Sequence, residues 1–317
     1  MSEIFSNMTL NEDRYKRLSV ISINTLTFEN FDYFDVQGMS GSVDVFYGVN
    51  ESGKTSLMEV ISWMIASPPS GLKSNYIFGE HSFFECSLTF TVFNRPSIVW
   101  MMAYTMDDTL YDARHLLDTP LRTDMKLTDG LAFQHANGQY IFDYDLIRRF
   151  HYHRFQQENI LNIDELLNFS IFTEWSKAKN SLAAEKIEFI VSETLKLLRE
   201  VCPPTNQFGK IVHSVNNTHD LNQALKARGE NSRLLVNFTY RLLNLINECR
   251  NKSIRLPIII DDLPFHLSDD YLHLMAKVIQ KSSRICQIIA TTADPQIAKV
   301  LKEKNINIIE MTSCKPA

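Results

Sequence analysis

Residues Gly48-Val49-Asn50-Glu51-Ser52-Gly53-Lys54-Thr55 satisfy G-x-x-x-x-G-K-[ST] at every fixed position. This octet restricts the fold more than any other stretch of the chain, because its chemistry works only between a strand and a helix. The glycines let the backbone wrap closely around phosphates, with successive N–H groups turned inward as donors. The helix that follows adds the positive end of its dipole. Both flanks are present in the sequence. Val43 to Tyr47 reads as an apolar strand, and Thr55 to Ala66 carries Leu57, Val60, Ile61, Met64 and Ile65 at helical spacing, ending before Pro68-Pro69. Chance matches in ordinary turns arise in roughly one chain per hundred of this length at average glycine content, and fewer have these flanks. The expected nucleotide-contacting set is Gly48, Asn50, Glu51, Ser52, Gly53, Lys54, Thr55 and Ser56. Lys54 is expected to reach the β- and γ-phosphates, and the Thr55 hydroxyl to ligate Mg²⁺.

A phosphate loop of this kind requires an acidic partner. Leu256-Pro257-Ile258-Ile259-Ile260-Asp261-Asp262 is an apolar strand that ends in two carboxylates. A buried parallel strand delivers its last side chains to the carboxyl edge of the sheet, where α/β ligands bind. Asp261 would hold Mg²⁺ through water, and Asp262 would polarise the water that attacks the γ-phosphate. Taken alone, the segment reads more readily as a solvated turn after a core strand, and the phosphate loop upstream reverses that order. The two motifs, at 48–55 and 261–262, stand much further apart than in compact P-loop proteins such as small GTPases.

Other strand candidates are Leu18 to Thr25 and a hairpin of Phe83–Phe93 with Ile98–Tyr104 joined by Asn94-Arg95-Pro96. Shorter elements continue to about Tyr144. From Asp164 to Val201 the pattern is mostly helical, and Pro203-Pro204 close it. A second α/β pattern begins near Phe208. It holds a helix from Ser232 to Cys249, the strand Ile258 to Ile260 and a helix Asp269 to Lys281, then a strand Ile285 to Thr291, a helix Pro295 to Lys304 and a strand Ile306 to Met311. Alternating strands and helices imply a mostly parallel sheet covered on both faces. The expected division is an N-terminal lobe 1–163, a short helical insertion 164–204 and a C-terminal lobe 205–317.

The stretch Ser22 to Ala66, with Phe28-Glu29-Asn30-Phe31 and then Tyr47 to Ser56, resembles the amino-terminal lobe of SMC-like double-strand-break-repair ATPases. It is most similar to the YhaN-like branch, whose phosphate loop reads Asn-Glu-Ala-Gly-Lys-Ser-Thr. Leu256 to Ile297 looks like the carboxyl lobe of the same family. The resemblance implies an ABC-type P-loop NTPase head, an α/β fold with a bipartite mixed sheet flanked by helices and a short helical insertion. It implies ATP and Mg²⁺ as cofactors, and two heads that sandwich two ATPs as a homodimer or larger oligomer. It further implies hydrolysis of ATP to ADP and phosphate, which the departures below make slow, controlling an associated effector such as a nuclease or another DNA-processing or defence subunit.

Residue by residue, the family's signature segment falls on Leu225 to Ser232, where Gly229 and the helix start agree but Ala227 stands where a serine normally touches the γ-phosphate. An ordinary polar loop and helix cap is the other reading of that segment. The glutamine that senses Mg²⁺ and water is assigned to Gln157 in Phe155-Gln156-Gln157-Glu158, against a plain pair of exposed glutamines. The usual aspartate after the acidic strand aligns with Ser268, followed by Asp269 and Asp270. The usual switch histidine aligns with Thr292. These departures weaken fast hydrolysis more than binding, and leave open a nucleotide-binding interaction protein with little turnover or a RecF-like DNA-loading protein.

Family members that tether DNA ends carry hundreds of heptad residues and often a Cys-x-x-Cys hook. Here the helical insertion, even as one unbroken helix, reaches only roughly 60 Å at about 1.5 Å per residue. Long-range tethering is therefore excluded. Composition restricts partners further. The 317-residue chain carries 32 Lys plus Arg against 37 Asp plus Glu, a net charge of −5, which argues against unaided tight DNA binding and leaves DNA contact to a complex. Arg148-Arg149 and His151 to Phe155 read as a solvated face rather than a basic-aromatic strip, and His151 with His153, which have no acidic third ligand, as surface or packing residues rather than a metal pair. No apolar run reaches the roughly 20 residues of a membrane span, and Met1 to Arg17 lacks the core of a secretory signal. The scattered cysteines Cys86, Cys202, Cys249, Cys286 and Cys314 fit reduced, buried thiols. The expected location is cytoplasmic.

Overall fold

The computed structural model describes residues 19–28, 34–50, 52–55, 57–58, 61, 83–92, 95–106, 109–113, 131–134, 140–141, 160–162, 171, 174, 177–178, 182–226, 229–250, 255–263 and 267–311. Among these, two sheets divide the strands by direction. One is five-stranded and entirely parallel, in the order β12 (Asn307–Glu310), β3 (Val43–Tyr47), β11 (Ile288–Thr292), β10 (Ile258–Asp261), β9 (Ile160–Asn162). The other is seven-stranded and antiparallel: β1 (Ser19–Phe28), β2 (Phe34–Val36), β4 (Phe83–Val92), β5 (Arg95–Met106), β6 (Thr109–Ala113), β7 (Leu131–Gln134) and β8 (Tyr140–Ile141). The fold is α/β, with a parallel sheet flanked by helices.

The sequence pattern explains this partition. Strands β3, β10 and β11 are short apolar runs separated by long stretches of chain, the signature of buried parallel strands that need crossover connections. Strands β4 and β5 follow each other with Phe93-Asn94 between them, and the hairpin register runs from Val92↔Arg95 to Phe83↔Tyr104. Arg95 and Pro96 therefore belong to the strand, not to the turn assigned to them from the sequence. Strand β9 is only three residues long and pairs at the edge with β10, too short to show a period of its own.

Alternation along the parallel strands sorts side chains onto two faces. Val43 and Val45, Ile258 and Ile260, and Ile288 and Ala290 lie on one face, in a cluster with helices α1 (Leu182–Val201), α2 (Gln207–Ser214), α4 (Glu230–Arg250) and α5 (Asp269–Ser282). Helix α1 packs against α2, α4 and α5, and contributes Ile190, Leu195 and Leu198 to that core. Helix α3 (Thr218–Lys226) adds Leu221 and Leu225, and α6 (Pro295–Glu303) adds Ile297, Val300 and Leu301. Helix α6 starts cleanly: Asp294 caps the amides of Gln296 and Ile297, and Pro295 occupies the first turn, where its missing N–H costs nothing. On the opposite face Phe46, Ile259 and Ile289 are equally inaccessible.

A polar cluster on that opposite face joins the two sheets. The Gln287 side chain pairs with the backbone of Val20 as a strand would, accepting from its N–H at 2.6 Å and donating to its carbonyl at 2.9 Å. The same amide group donates to Asp44 Oδ2 at 2.9 Å, while Asp44 Oδ1 accepts from Asn307 Nδ2 at 2.8 Å and from the Ser40 amide at 2.6 Å. Asp44 and Gln287 are fully buried. Satisfied in this way they fix the position of β1; unsatisfied, each group would carry its desolvation penalty.

Among the described residues Cys202 and Cys286 are buried and in no disulfide, as the scattered spacing implied, and burial pushes the Cys202 thiol up to about 12. No helix among them is long and apolar enough to cross a membrane.

Gln287→Leu is expected to lower unfolding stability by at least about 2 kcal/mol, since each buried polar group left unpaired costs about 1–3 kcal/mol. Urea denaturation measures it; a loss below about 0.5 kcal/mol, the level of an ordinary surface change, would show that the sheets are joined by other means. Iodoacetamide with peptide mapping should leave Cys202 and Cys286 unmodified in the folded protein and label both in urea. Labelling of Cys202 without denaturant would contradict the buried placement.

Candidate functional site

The parallel pairing brings β3 together with the late strands β11 and β12, so that the loop after β3 starts beside them. Strand β3 runs beside β11, with Tyr47 level with Thr292, and the Gly48 amide donates to the Thr292 carbonyl at 3.3 Å. On its other side β3 pairs with β12, and the Met311 amide donates to Tyr47 O at 2.7 Å. A Cβ on Gly48 would stand 2.7 Å from Ser52 Oγ and 2.9 Å from Met311 O, so only glycine fits where the loop leaves the strand. Gly53 adopts φ +82°, in the region open to glycine, and turns the chain into the helix that holds Lys54, Thr55, Leu57, Met58 and Ile61. The Leu57 amide donates to Gly53 O at 2.9 Å, a bond of the first turn of that helix. Leu57 and Ile61, two of the residues at the apolar spacing, are buried, and so is Met58; Val60, Met64 and Ile65 lie outside the described residues.

Lys54 folds back over its own loop. Its ammonium donates to Gly48 O at 2.9 Å and Val49 O at 2.7 Å, with Ser52 Oγ at 3.4 Å, which engages all three of its protons. Burial holds its pKa below the ordinary lysine value, against the attraction of Asp262 and then Asp261, which pull it up. The loop thus encloses a cation, while Val49 and Asn50 at its tip are exposed.

The acidic motif meets the loop here. Thr55 Oγ1 donates to Asp261 Oδ1 at 3.3 Å, across 206 positions of sequence. A hydroxyl and a carboxylate oxygen at one point are the hard oxygen donors that suit Mg²⁺, which keeps waters and phosphate oxygens for its other positions. Together with the loop in which only glycine fits at position 48, the residues present fit an ATP–Mg²⁺ pair. Asp262 follows in the left-handed region, φ +59°, and is exposed. Its amide donates to Thr291 Oγ1 at 2.7 Å, and the Leu263 amide donates to Thr291 O at 2.8 Å. The Thr291 hydroxyl itself donates to Asp261 Oδ1 at 3.0 Å.

Thr291 was not among the residues singled out from the sequence; its neighbour Thr292 was. Thr292 is buried, and its hydroxyl accepts from the Asp294 amide at 3.1 Å. The signal that separates the two threonines is strand register. Ile258↔Ile288 to Ile260↔Ala290 puts residue 291 level with Asp261, and level residues of parallel strands share a face. Register marks a second residue as well: Asn162 of β9 is level with Asp261.

Glu51, Ser56, Ala227 and the segment Arg148 to Glu158, with Gln157, lie outside the described residues. Gly229 is exposed just ahead of α4, and with Gln207, Phe208, Ser232 and Tyr271 it lines a cavity of about 500 Å³. Ser232 is buried and shares a 2.6 Å hydrogen bond with the Tyr271 hydroxyl, whose ring packs at a tilt on Phe208. Ser268 caps α5 through its carbonyl alone, and Asp269 in the first turn accepts from Gln296 Nε2.

The sequence matches no family model and no curated protein. Solved structures do match. The chain resembles an SMC head bound to the C-winged helix domain of ScpA, at 12% identity and TM-score 0.51, over 89% of this chain and 91% of that one. It resembles the SMC head domain from Thermotoga maritima at 15% identity and TM-score 0.52, over 89% and 92%. A third match is an SMC head with an extended coiled coil bound to the C-terminal domain of ScpA, from Pyrococcus furiosus, at 12% identity and TM-score 0.51, over 93% and 94%. At these identities the likeness shows the fold, that of an ABC-type P-loop head.

Gly48→Ala is expected to lower the thermal midpoint by at least about 3 °C, because the methyl meets a backbone carbonyl that Met311 cannot withdraw without loosening β12. Differential scanning calorimetry measures the shift. An unchanged midpoint would mean that the loop leaves β3 by a different path.

Proposed function

We propose that the chain is an ATPase head that binds ATP with Mg²⁺, pairs with a second head around the nucleotide and hydrolyses it slowly to control an associated effector. The observation that carries the reading is the Thr55–Asp261 contact, which unites the phosphate loop with the acidic strand at one sheet edge. In this reading the loop amides and Lys54 bind the phosphates, and Thr55 and Asp261 hold Mg²⁺. Asp262 orients the attacking water, with Gln157 as the amide that senses it. Asn162, level with Asp261, is the second amide to test for that role. When bound, Mg²⁺ would supply charge neutralisation on the phosphates.

Gly229 and the start of α4 would complete the site of a second head, an arrangement that supports an oligomer. Two of the similar heads are bound to a domain of ScpA. By analogy we propose a protein partner here too, of the DNA-processing or defence kind, in a YhaN-like setting; that part rests on resemblance and not on site chemistry. A second reading is a nucleotide-dependent interaction protein with little turnover. It is favoured by Thr292, which stands at the switch position with its hydroxyl committed to the Asp294 amide.

Size-exclusion chromatography with light scattering, comparing apo protein with Mg²⁺-ATP, tests the proposal. The expected result is an ATP-dependent dimer that Asp262→Asn strengthens while phosphate release falls at least about 100-fold, as for loss of a residue that positions the attacking water. Unchanged mass in every state, with ATP still bound, would favour the second reading.

A further inference from the structure

We propose that Thr291 is the positioning residue of the acidic edge: one buried threonine holds the Asp261 carboxylate and sets the backbone on which Asp262 stands. The inference rests on the nucleotide-site reading above and adds to it a residue outside the phosphate loop and the acidic strand. Thr291 is 1% exposed and sits on β11, between β3 and β10. Its hydroxyl has one proton to give and lone pairs to receive. The Asp262 amide donates to it at 2.7 Å, which leaves its own proton for Asp261 Oδ1 at 3.0 Å. The hydroxyl is thereby fixed in orientation, and so is the carboxylate it addresses.

Its backbone carbonyl takes the next amide, Leu263, at 2.8 Å. The first two amides after Asp261 are therefore both held by one residue of the neighbouring strand. Between them Asp262 turns at φ +59°, in the left-handed region that residues other than glycine adopt uncommonly. Such a turn persists where its surroundings hold it, and Thr291 supplies two of the bonds that do so. Thr55 also donates to Asp261 Oδ1, at the longer distance of 3.3 Å. That hydroxyl is the one expected to turn towards Mg²⁺, whereas the Thr291 hydroxyl is committed from the protein side. It has the place of an outer-shell partner that orients a ligating carboxylate.

Valine has the shape of threonine without the hydroxyl, so Thr291→Val removes both side-chain bonds and keeps the volume. Thr291→Ser keeps both bonds, and Thr291→Ala removes them with a smaller side chain. Binding of a methylanthraniloyl-ATP probe is titrated by fluorescence in Mg²⁺ and in EDTA, for each variant that melts cooperatively, and single-turnover hydrolysis is followed alongside. In the wild type Mg²⁺ should tighten binding. The valine and alanine variants should bind as the wild type does in EDTA but lose about 10–100-fold in the Mg²⁺-dependent gain, the range for removing an outer-shell partner. Thr291→Ser should restore it. If the valine or alanine variant keeps the full Mg²⁺ gain and shows only a lower melting point, Thr291 is structural and the proposal is wrong. A wild type that binds the probe equally in Mg²⁺ and EDTA also overturns it. A wild type that does not bind the probe at all overturns the nucleotide reading, and this inference with it.

Discussion

The two parallel neighbours of β3 both come from the far end of the chain, β11 from Ile288↔Val43 to Thr292↔Tyr47 and β12 from Asn307↔Asp44 to Glu310↔Tyr47. The phosphate loop leaves β3 at Gly48, so its first turn is built against Thr292 O and Met311 O, groups that only the C-terminal strands supply. A strand buried on both faces must satisfy its backbone through such neighbours. The edge that carries the loop therefore forms as a consequence of long-range pairing, and the loop's own sequence is not sufficient to shape it.

The face of the sheet opposite the helical core carries polar groups at both ends and apolar ones between. Asp44 and Gln287 occupy one end, where they tie the parallel sheet to β1; Thr291 and Asp261 occupy the other, where the proposed ligand binds. Phe46, Ile259 and Ile289 fill the space between them. The same alternation that fixes the sheet's attachment to β1 thus fixes which residues face the site. A slip of one residue in β11 would exchange Thr291 for Thr292 and move Gln287 away from Asp44. Structural attachment and site geometry are coupled through one register.

The site also stores conformational cost. Lys54 gives up water for the carbonyls of its own loop, and Asp262 stands in a left-handed turn. Both are local penalties held in place by neighbours from other parts of the chain. The helical layer supplies the compensating stability. Helices α1, α4 and α5 bring long apolar faces onto the sheet, including Leu195, Phe238, Leu242 and Met275, all essentially inaccessible. Burial of such side chains contributes roughly 1.5–3 kcal/mol each.

The elements with strong local signals were legible from residues alone. The octet at 48–55 and its flanks, the strand Ile258 to Ile260 with its two carboxylates, and the helices now described as α4, α5 and α6 followed from motif spacing, apolar runs and caps, because each signal lies within one segment. Weaker were the three-residue β9, the start of β11, expected at Ile285 but found at Ile288, and the start of β5, expected at Ile98 but found at Arg95. In these places pairing decides whether extended backbone counts as strand, and a partner is not written in the segment itself. By its own sequence this chain determined a phosphate loop, an acidic strand and the order of its helices and strands. The tertiary structure decided which residues stand beside which. It set Thr291 rather than Thr292 on the face of Asp261, put Asn162 level with that aspartate, and committed Ser232 to Tyr271. Those assignments depend on register and burial across the whole chain, which local periodicity does not encode.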